Sequence, residues 1–303
     1  MFNPATVLVV VVVVVQVIPS NLPKMMDSES GSTSSGANDI PSNLPNSESG
    51  STSSGANDWA SLSLLFPHAS IRHDIIQLQR CATALTTLPT PPNINKRIKS
   101  FKCWWRKYHI RRVSMHHECE ELIYFPWMET KCSLPSTLQQ LHVALHRMTD
   151  TIDKLLSKSS LALAFSSEEV GKTSLDESFW ASSSTLLFFV SELAQALNEY
   201  AAAMTRHLDD EEAIVPNLLR LHFTPEEEKK IVKKIQKKCG VVGARLFLPG
   251  MLLEAETETE TGSGITKAEF KQNVPKVIRW VNRKVWKKRY KSECILVNQL
   301  ARL

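Results

Sequence analysis

Beyond Trp59, apolar residues recur three or four apart along most of the chain, and the breaks between these runs delimit six helices. The first is expected from Asp58 or Ala60 to Leu88, where Pro89-Thr90-Pro91-Pro92 cannot continue a helix. A second spans about Asn95 to Tyr124, or just past Pro126. The third begins near Ser136, carries Leu138, Leu141, Leu145, Ile152 and Leu155 at helical spacing, and reaches about Lys158. A Ser-rich, Gly-containing stretch, 159–174, leads to a long fourth helix from about Leu175 to Leu219, whose end Pro216 is expected to bend or interrupt. The four are amphipathic, and their connections suit antiparallel neighbours. The expected fold is all-α, with an up-down-up-down four-helix bundle over residues 59–222.

Residues 223–303 form a basic helical extension. Thr224-Pro225-Glu226-Glu227 combines a capping hydroxyl, Pro at the first helical position and acids in the first turn, and that helix should end at Cys239-Gly240. Glu254 to Gly264 alternates Glu with Thr and suits a solvated loop; Ile265-Thr266-Lys267-Ala268-Glu269 starts another helix, which Pro275 interrupts. This part is expected to stand apart from the bundle core.

The first 58 residues have a different composition. Ile18-Pro-Ser-Asn-Leu-Pro through Asp39 is repeated from Ile40 through Asp58, and such Ser/Gly/Asn/Pro-rich sequence buries too little apolar surface to offset its ordering entropy. It is expected to be a linker. The apolar run Val7 to Val15 is shorter than the roughly 20 residues of a membrane-spanning helix and lacks a basic flank and a small-x-small cleavage site. A targeting leader is one reading of it, a low-complexity accident another.

The net charge of +5 is uneven. Residues 95–112 carry eight Lys or Arg and no acid; residues 265–303 carry eleven against Glu269 and Glu293. Both stretches interleave cations with aromatics, as in Trp104-Trp105-Arg106-Lys107-Tyr108 and Trp286-Lys287-Lys288-Arg289-Tyr290. Such mixtures suit an anionic membrane surface or nucleic acid. They equally suit a helix whose Trp residues pack inward while its cations stay in water. The six cysteines are scattered, with no Cys-x-x-Cys, which suits a reducing intracellular compartment, the cytoplasm, and argues against a zinc-finger or RING-type module.

The chemistry is concentrated in histidine. All nine lie between His68 and His222, and two segments share one pattern: His116-His117-Glu118-Cys119-Glu120-Glu121 before Pro126, and His207-Leu208-Asp209-Asp210-Glu211-Glu212 before Pro216. Residues four apart share a helix face about 6 Å apart along the axis, so His116 with Glu120, and His207 with Glu211, each present an imidazole and a carboxylate together. His142 and His146 are again four apart, and His68 lies on the first helix. A lone His on an amphipathic helix is usually a core residue, but ligand-type residues on four separate helices converge only around something. The candidate metal ligands are His68, His116, Glu120, His142, His146, His207, and Glu211 or Glu212. His73, His109, His117 and His222 fall outside the best phase, with His117 entering if the register differs by one. Glu118 and Glu121 suit exposed positions or the orienting of imidazoles. No Glu-x-x-His, His-Glu-x-x-His, phosphate-binding Gly-rich loop or nucleophile elbow is present.

These motifs, together with Phe66-Pro67-His68 and Phe125-Pro126, resemble the hemerythrin-like proteins, over roughly residues 59–222. That resemblance implies a four-helix bundle around two non-haem iron ions, bridged by Glu120 and by Glu211 or Glu212, with His68, His116, His142, His146 and His207 as imidazole ligands. The oxygen-binding members end on an Asp five residues after the last His, the position of Glu212 here, whereas iron-sensing relatives use the four-residue spacing that Glu211 fits. The implied function is binding of O2 or another small diatomic ligand, or iron and oxygen sensing or storage, without conventional turnover. Two alternatives are a di-iron oxidase or peroxide-reducing enzyme on the same bundle, and a metal-free helical adaptor using its basic arm.

Overall fold

The computed structural model describes residues 58–87, 94–168, 177–257 and 267–301; the apolar run and tandem repeat of residues 1–57 lie outside them. Every element among the described residues is helical. Helix α1 is Trp59–Thr87. Residues 94–128 form one rod of three α-helices, α2 (Ile94–Trp104), α3 (Ile110–Cys119) and α4 (Phe125–Met128), joined by π-turns at Trp105–His109 and Glu120–Tyr124. Then come α5 (Ser136–Glu168), α6 (Glu177–His222) and α7 (Pro225–Thr257). The basic end forms α8 (Lys267–Asn273), α9 (Lys276–Val281), a third π-turn (Asn282–Trp286) and α10 (Lys287–Ala301).

Local chemistry sets the boundaries. Asp58 accepts from the Ala60 amide and the Ser61 hydroxyl, satisfying donors that the first turn of α1 leaves over. Thr224 and Glu227 form a reciprocal capping box: the Glu227 amide donates to Thr224 Oγ1 at 3.3 Å and the Thr224 amide to Glu227 Oε2 at 3.0 Å. The expected stop at Gly240 is a kink. There the backbone takes φ +53°, ψ −147°, open to Gly but costly for other residues, and a helix resumes beyond it to Thr257. Two expected stops are overridden. Helix α5 continues ten residues past Lys158, through Leu161-Ala-Leu-Ala, all strong helix formers, and α6 passes Pro216 to end at His222.

Helix α6 packs along α1 on one side and α5 on another, while α7 lies across α1 and α3. The basic end is not separate from this core. Phe270, Val274, Ile278, Val281, Trp286, Tyr290 and Cys294 are buried in the same apolar cluster as α1, α2 and α6, and α10 packs on α1 and α2. A buried polar network explains the docking. Asp74 of α1 accepts from Arg112, from His109 Nδ1 at 3.0 Å and from the Tyr290 hydroxyl at 2.5 Å, and His109 Nε2 meets the Tyr200 hydroxyl at 2.8 Å. Burial opposes a charge on Asp74, but the Arg112 guanidinium outweighs it and holds the carboxyl well below its ordinary range. Helix α1, the 94–128 rod and α10 therefore meet at one carboxylate, and α6 joins them through Tyr200.

The same packing settles where the aromatics of the basic stretches lie. Trp104, Trp105, Tyr108, Trp286 and Tyr290 are buried, while Arg106 pairs with Asp153 and Lys107 with Glu293 on the outside. Trp280 remains half exposed.

Helices α1 and α7 touch most closely at Gly250, where an added Cβ would lie 3.2 Å from Ser70 Cα and closer still to Ser70 Oγ. Backbone cannot swing aside as a flexible side chain can. Gly250→Ala should therefore cost about 1–3 kcal/mol in overpacking, less the roughly 1 kcal/mol that Ala gains over Gly in helix propensity. A denaturant melt with an unchanged midpoint would show that the two helices separate freely there.

Candidate metal centre

Seven side chains from four stretches of chain converge in the interior: His68 of α1, His116 and His117 of α3, Glu120 at the start of the second π-turn, His142 of α5, and His207 and Glu211 of α6. All are at most 5% exposed. Their potential ligand atoms fall into two groups, His68, His116, Glu120 and Glu211 in one, and His117, His142 and His207 in the other, each with atoms mutually within 4.8 Å.

The carboxylates lie between the groups. Glu120 Oε1 is 3.3 Å from His116 Nε2, and its Oε2 is 3.7 Å from His142 Nε2. Glu211 Oε2 is 3.3 Å from His68 Nε2 and 3.5 Å from His207 Nε2, with Oε1 3.5 Å from His142 Nε2. Each carboxylate thus reaches both groups. Ligands held by one ion at about 2.1 Å are spaced about 3.0 Å apart at right angles and about 4.2 Å when opposite. The observed spacings lie in that interval.

Hydrogen bonding supplies the fit test. Eleven nitrogen and oxygen atoms of these seven residues are buried without a hydrogen-bond partner: Nε2 of His68, His116 and His142, both ring nitrogens of His117 and His207, and all four oxygens of Glu120 and Glu211. Burying polar atoms unsatisfied costs about 1–3 kcal/mol each, so such a cluster is sustained only if something satisfies it. Imidazole and carboxylate donors suit a divalent transition metal. The residues fit a metal centre.

Outer partners aim two of the imidazoles. His68 Nδ1 is 2.7 Å from Glu212 Oε1, and His142 Nδ1 is 2.9 Å from Glu121 Oε1, which leaves both Nε2 atoms facing inward. Glu212 also takes an ion pair from Arg72 at 3.1 Å. It stands behind His68 and outside both groups, so of the two candidate acids only Glu211 faces the centre. Glu118 pairs instead with Lys238 on the surface.

Two helix rotations decide the remaining histidines. His146 is half-buried and sits edge-on to His117, ring centroids 5.3 Å apart, outside both groups of ligand atoms. His117 is inside. Around an ideal helix His116 and His117 lie about 40° and about 60° to either side of Glu120, so one carboxylate is flanked by two imidazoles. The π-turn then brings Phe125 to the face of Glu120, although five residues in an α-helix are about 140° apart. The Phe125 ring stacks on His142 at 5.8 Å. His109 belongs to the Asp74 network, His73 lies 3.6 Å from Glu254, and His222 is exposed.

Electrostatics sort the ionisable groups. Burial, reinforced by neighbouring imidazoles, pushes His116 and His117 well below the usual range and His207 down to about 4, with Glu211 opposing it. Burial also opposes charge on His68, but Glu211 and Glu212 outweigh it and raise that imidazole. The carboxylates separate in the same way. Burial and then the charge of Glu211 push Glu120 well above its ordinary value, whereas the imidazoles of His142 and His68 overcome burial and hold Glu211 well below it. His116, His117 and His207 are therefore poised as neutral imidazoles.

A surface cleft of about 480 Å³ beside Lys131, Cys132, Leu218 and His222 includes none of the seven residues. No helix among the described residues is long and apolar enough to cross a membrane. No family model, curated protein or solved structure matches the chain.

Proposed function

We propose that this protein is a hemerythrin-like, non-haem di-iron protein, with α1, the 94–128 rod, α5 and α6 as its up-down-up-down four-helix bundle. On this reading His68, His116, His117, His142 and His207 would supply imidazoles, and Glu120 and Glu211 carboxylates, to two iron ions. The observation that carries it is the placement of two buried carboxylates between two imidazole groups, with every inward donor atom otherwise unsatisfied. A centre held by these five imidazoles and two carboxylates would supply reversible binding of O2 or another small ligand. The protein's own part is to orient His68 and His142 through Glu212 and Glu121, to hold His116, His117 and His207 neutral by burial, and to exclude bulk water. Binding or sensing of O2, or of iron itself, follows without a catalytic acid or base.

The purified chain should hold about two metal ions, mainly iron, and His116→Ala or His207→Ala should lose at least one of them. Elemental analysis measures both. Full iron retained in both variants would place the metal elsewhere, and a metal-free wild type would favour the helical adaptor. A stable, reversible absorption band on exposure to O2 would support binding. Rapid consumption of peroxide would point instead to the oxidase or peroxide-reducing enzyme.

A further inference from the structure

Two cysteines face each other one residue away from the metal centre. Cys119 ends α3 immediately before Glu120, and Cys239 lies on α7 immediately before the left-handed Gly240. Their sulfur atoms are 3.4 Å apart although the residues are 120 apart in sequence. A disulfide needs a sulfur separation of about 2.05 Å, so the remaining gap is roughly 1.3 Å, the scale of a side-chain torsion change. The surroundings leave Cys239 space for that turn. At Gly243, one helical turn on, an added Cβ would lie 2.5 Å from Cys239 Cβ and 3.3 Å from Met115 Sδ, so any larger residue would crowd the thiol. The two sulfurs also differ in access, Cys119 being buried and Cys239 only half-buried.

We propose that Cys119 and Cys239 are a redox-active pair that closes to an intramolecular disulfide when a peroxide reaches the protein, joining the ligand-bearing α3 to α7. Cys239 is the first sulfur to react. Its electron pair forms an S–O bond to hydrogen peroxide as the O–O bond breaks, and one water leaves. The Cys119 sulfur then attacks Cys239 sulfur: the S–S bond forms, the S–O bond breaks, and the hydroxyl leaves as a second water with the Cys119 proton. Two thiols and one peroxide give one disulfide and two waters. The hydrogen bond from Cys119, against burial and with the charge of Lys238, draws the Cys239 thiol below its ordinary value, in keeping with this order.

The test is peptide mapping of the full chain treated with hydrogen peroxide, with chelator present so that no metal consumes the oxidant, and alkylated before digestion. A linked pair of peptides carrying Cys119 and Cys239, two hydrogens lighter than the separate thiols and separated again by a reductant, is expected in wild type. Cys119→Ser should leave a sulfenic acid on Cys239 that a dione reagent traps, and Cys239→Ser should abolish the linked pair. Linkage of either cysteine to Cys103 or Cys132 in wild type would overturn the pairing. So would irreversible oxidation of Cys239 with Cys119 still a thiol, or no reaction at either. Because chelated protein is used, the result is independent of whether the neighbouring site binds iron.

Discussion

In the proposed metal centre, Glu211→Ala should empty the site, whereas Glu212→Ala should leave metal bound with affinity lowered about 10–100-fold, the usual effect of removing a group that orients a ligand. The asymmetry follows from direction. Glu211 is fully buried and its two oxygens face His68, His142 and His207, so its loss removes an anion from both imidazole groups at once. Glu212 is one residue further along α6, about 100° round the helix, and its oxygen meets the outer nitrogen of His68 and the Arg72 guanidinium. Its loss frees the His68 ring to rotate but deletes no inward donor. Glu211→Gln separates charge from shape: the amide keeps the volume of the side chain and loses the anion that faces both imidazole groups, so it too should lose metal. Metal content by elemental analysis, with helicity measured on each variant, reads all three. Equal depletion in the two alanine variants, or the reverse order, would mean that the last acid is the one five residues after His207.

Part of this centre is legible in the sequence because helical phase is arithmetic. His116 with Glu120 and His207 with Glu211 share faces by their four-residue spacing, and Glu212 is displaced from that face by the same rule. The rotation of α5 was also readable. On an ideal helix its buried residues Leu138, Leu145, Thr149, Ile152 and Leu156 lie about 20° to 80° to one side of His142, and His146 lies about 40° to the other. That arc singles out His142, whereas pairing two histidines by their spacing alone misses it. His117 is harder to read. A wide inward arc on α3 suffices to admit it, but only the positions of α5 and α6 show that imidazoles stand opposite.

The π-turns leave no residue signature, since they differ from an α-helix only in which carbonyl the next amide chooses, as when Phe125 N–H bonds to Glu120 O. The docking of the basic end was illegible for another reason. Asp74, His109, Arg112 and Tyr290 look like ordinary surface residues of three amphipathic segments until the fold places them around one carboxylate. Composition marks that end as basic, and it is basic on its outer face. Phe270, Trp286 and Tyr290 are what the core sees.

Metal should raise the melting temperature by roughly 10 °C at neutral pH, and the gain should disappear on acidification. A ligand at about a thousandfold excess over its dissociation constant adds about 4 kcal/mol, and each kcal/mol moves the midpoint of a domain this size by about 2–4 °C. The acid response has a definite sign. His116, His117 and His207 have folded pKa values below the unfolded 6.5, that of His207 at about 4, so as pH falls from 6.5 the unfolded chain takes up protons that the folded chain refuses. Stability is lost in that direction.

Glu120 works the other way above pH 4.5, because its raised pKa makes the folded chain the better proton binder. The raised His68 adds nothing below 6.5, where both states are protonated. Three protons against one leave about two, or on the order of 2–3 kcal/mol of stability per pH unit between 6.5 and 4.5 for the metal-free protein. Below 4.5 Glu120 ceases to compensate, and Glu211, whose pKa is lowered, adds to the loss. Metal holds the same imidazoles neutral and Glu120 ionised, so protons compete directly with the ion, and both forms should converge on one acid-labile species near pH 5. Thermal scans of chelated and iron-loaded protein from pH 8 to pH 4 measure this. Coincident midpoints at pH 7.5 would place any bound metal outside the core, and a metal-free midpoint that rises on acidification below pH 6.5 would mean that the buried imidazoles are already charged.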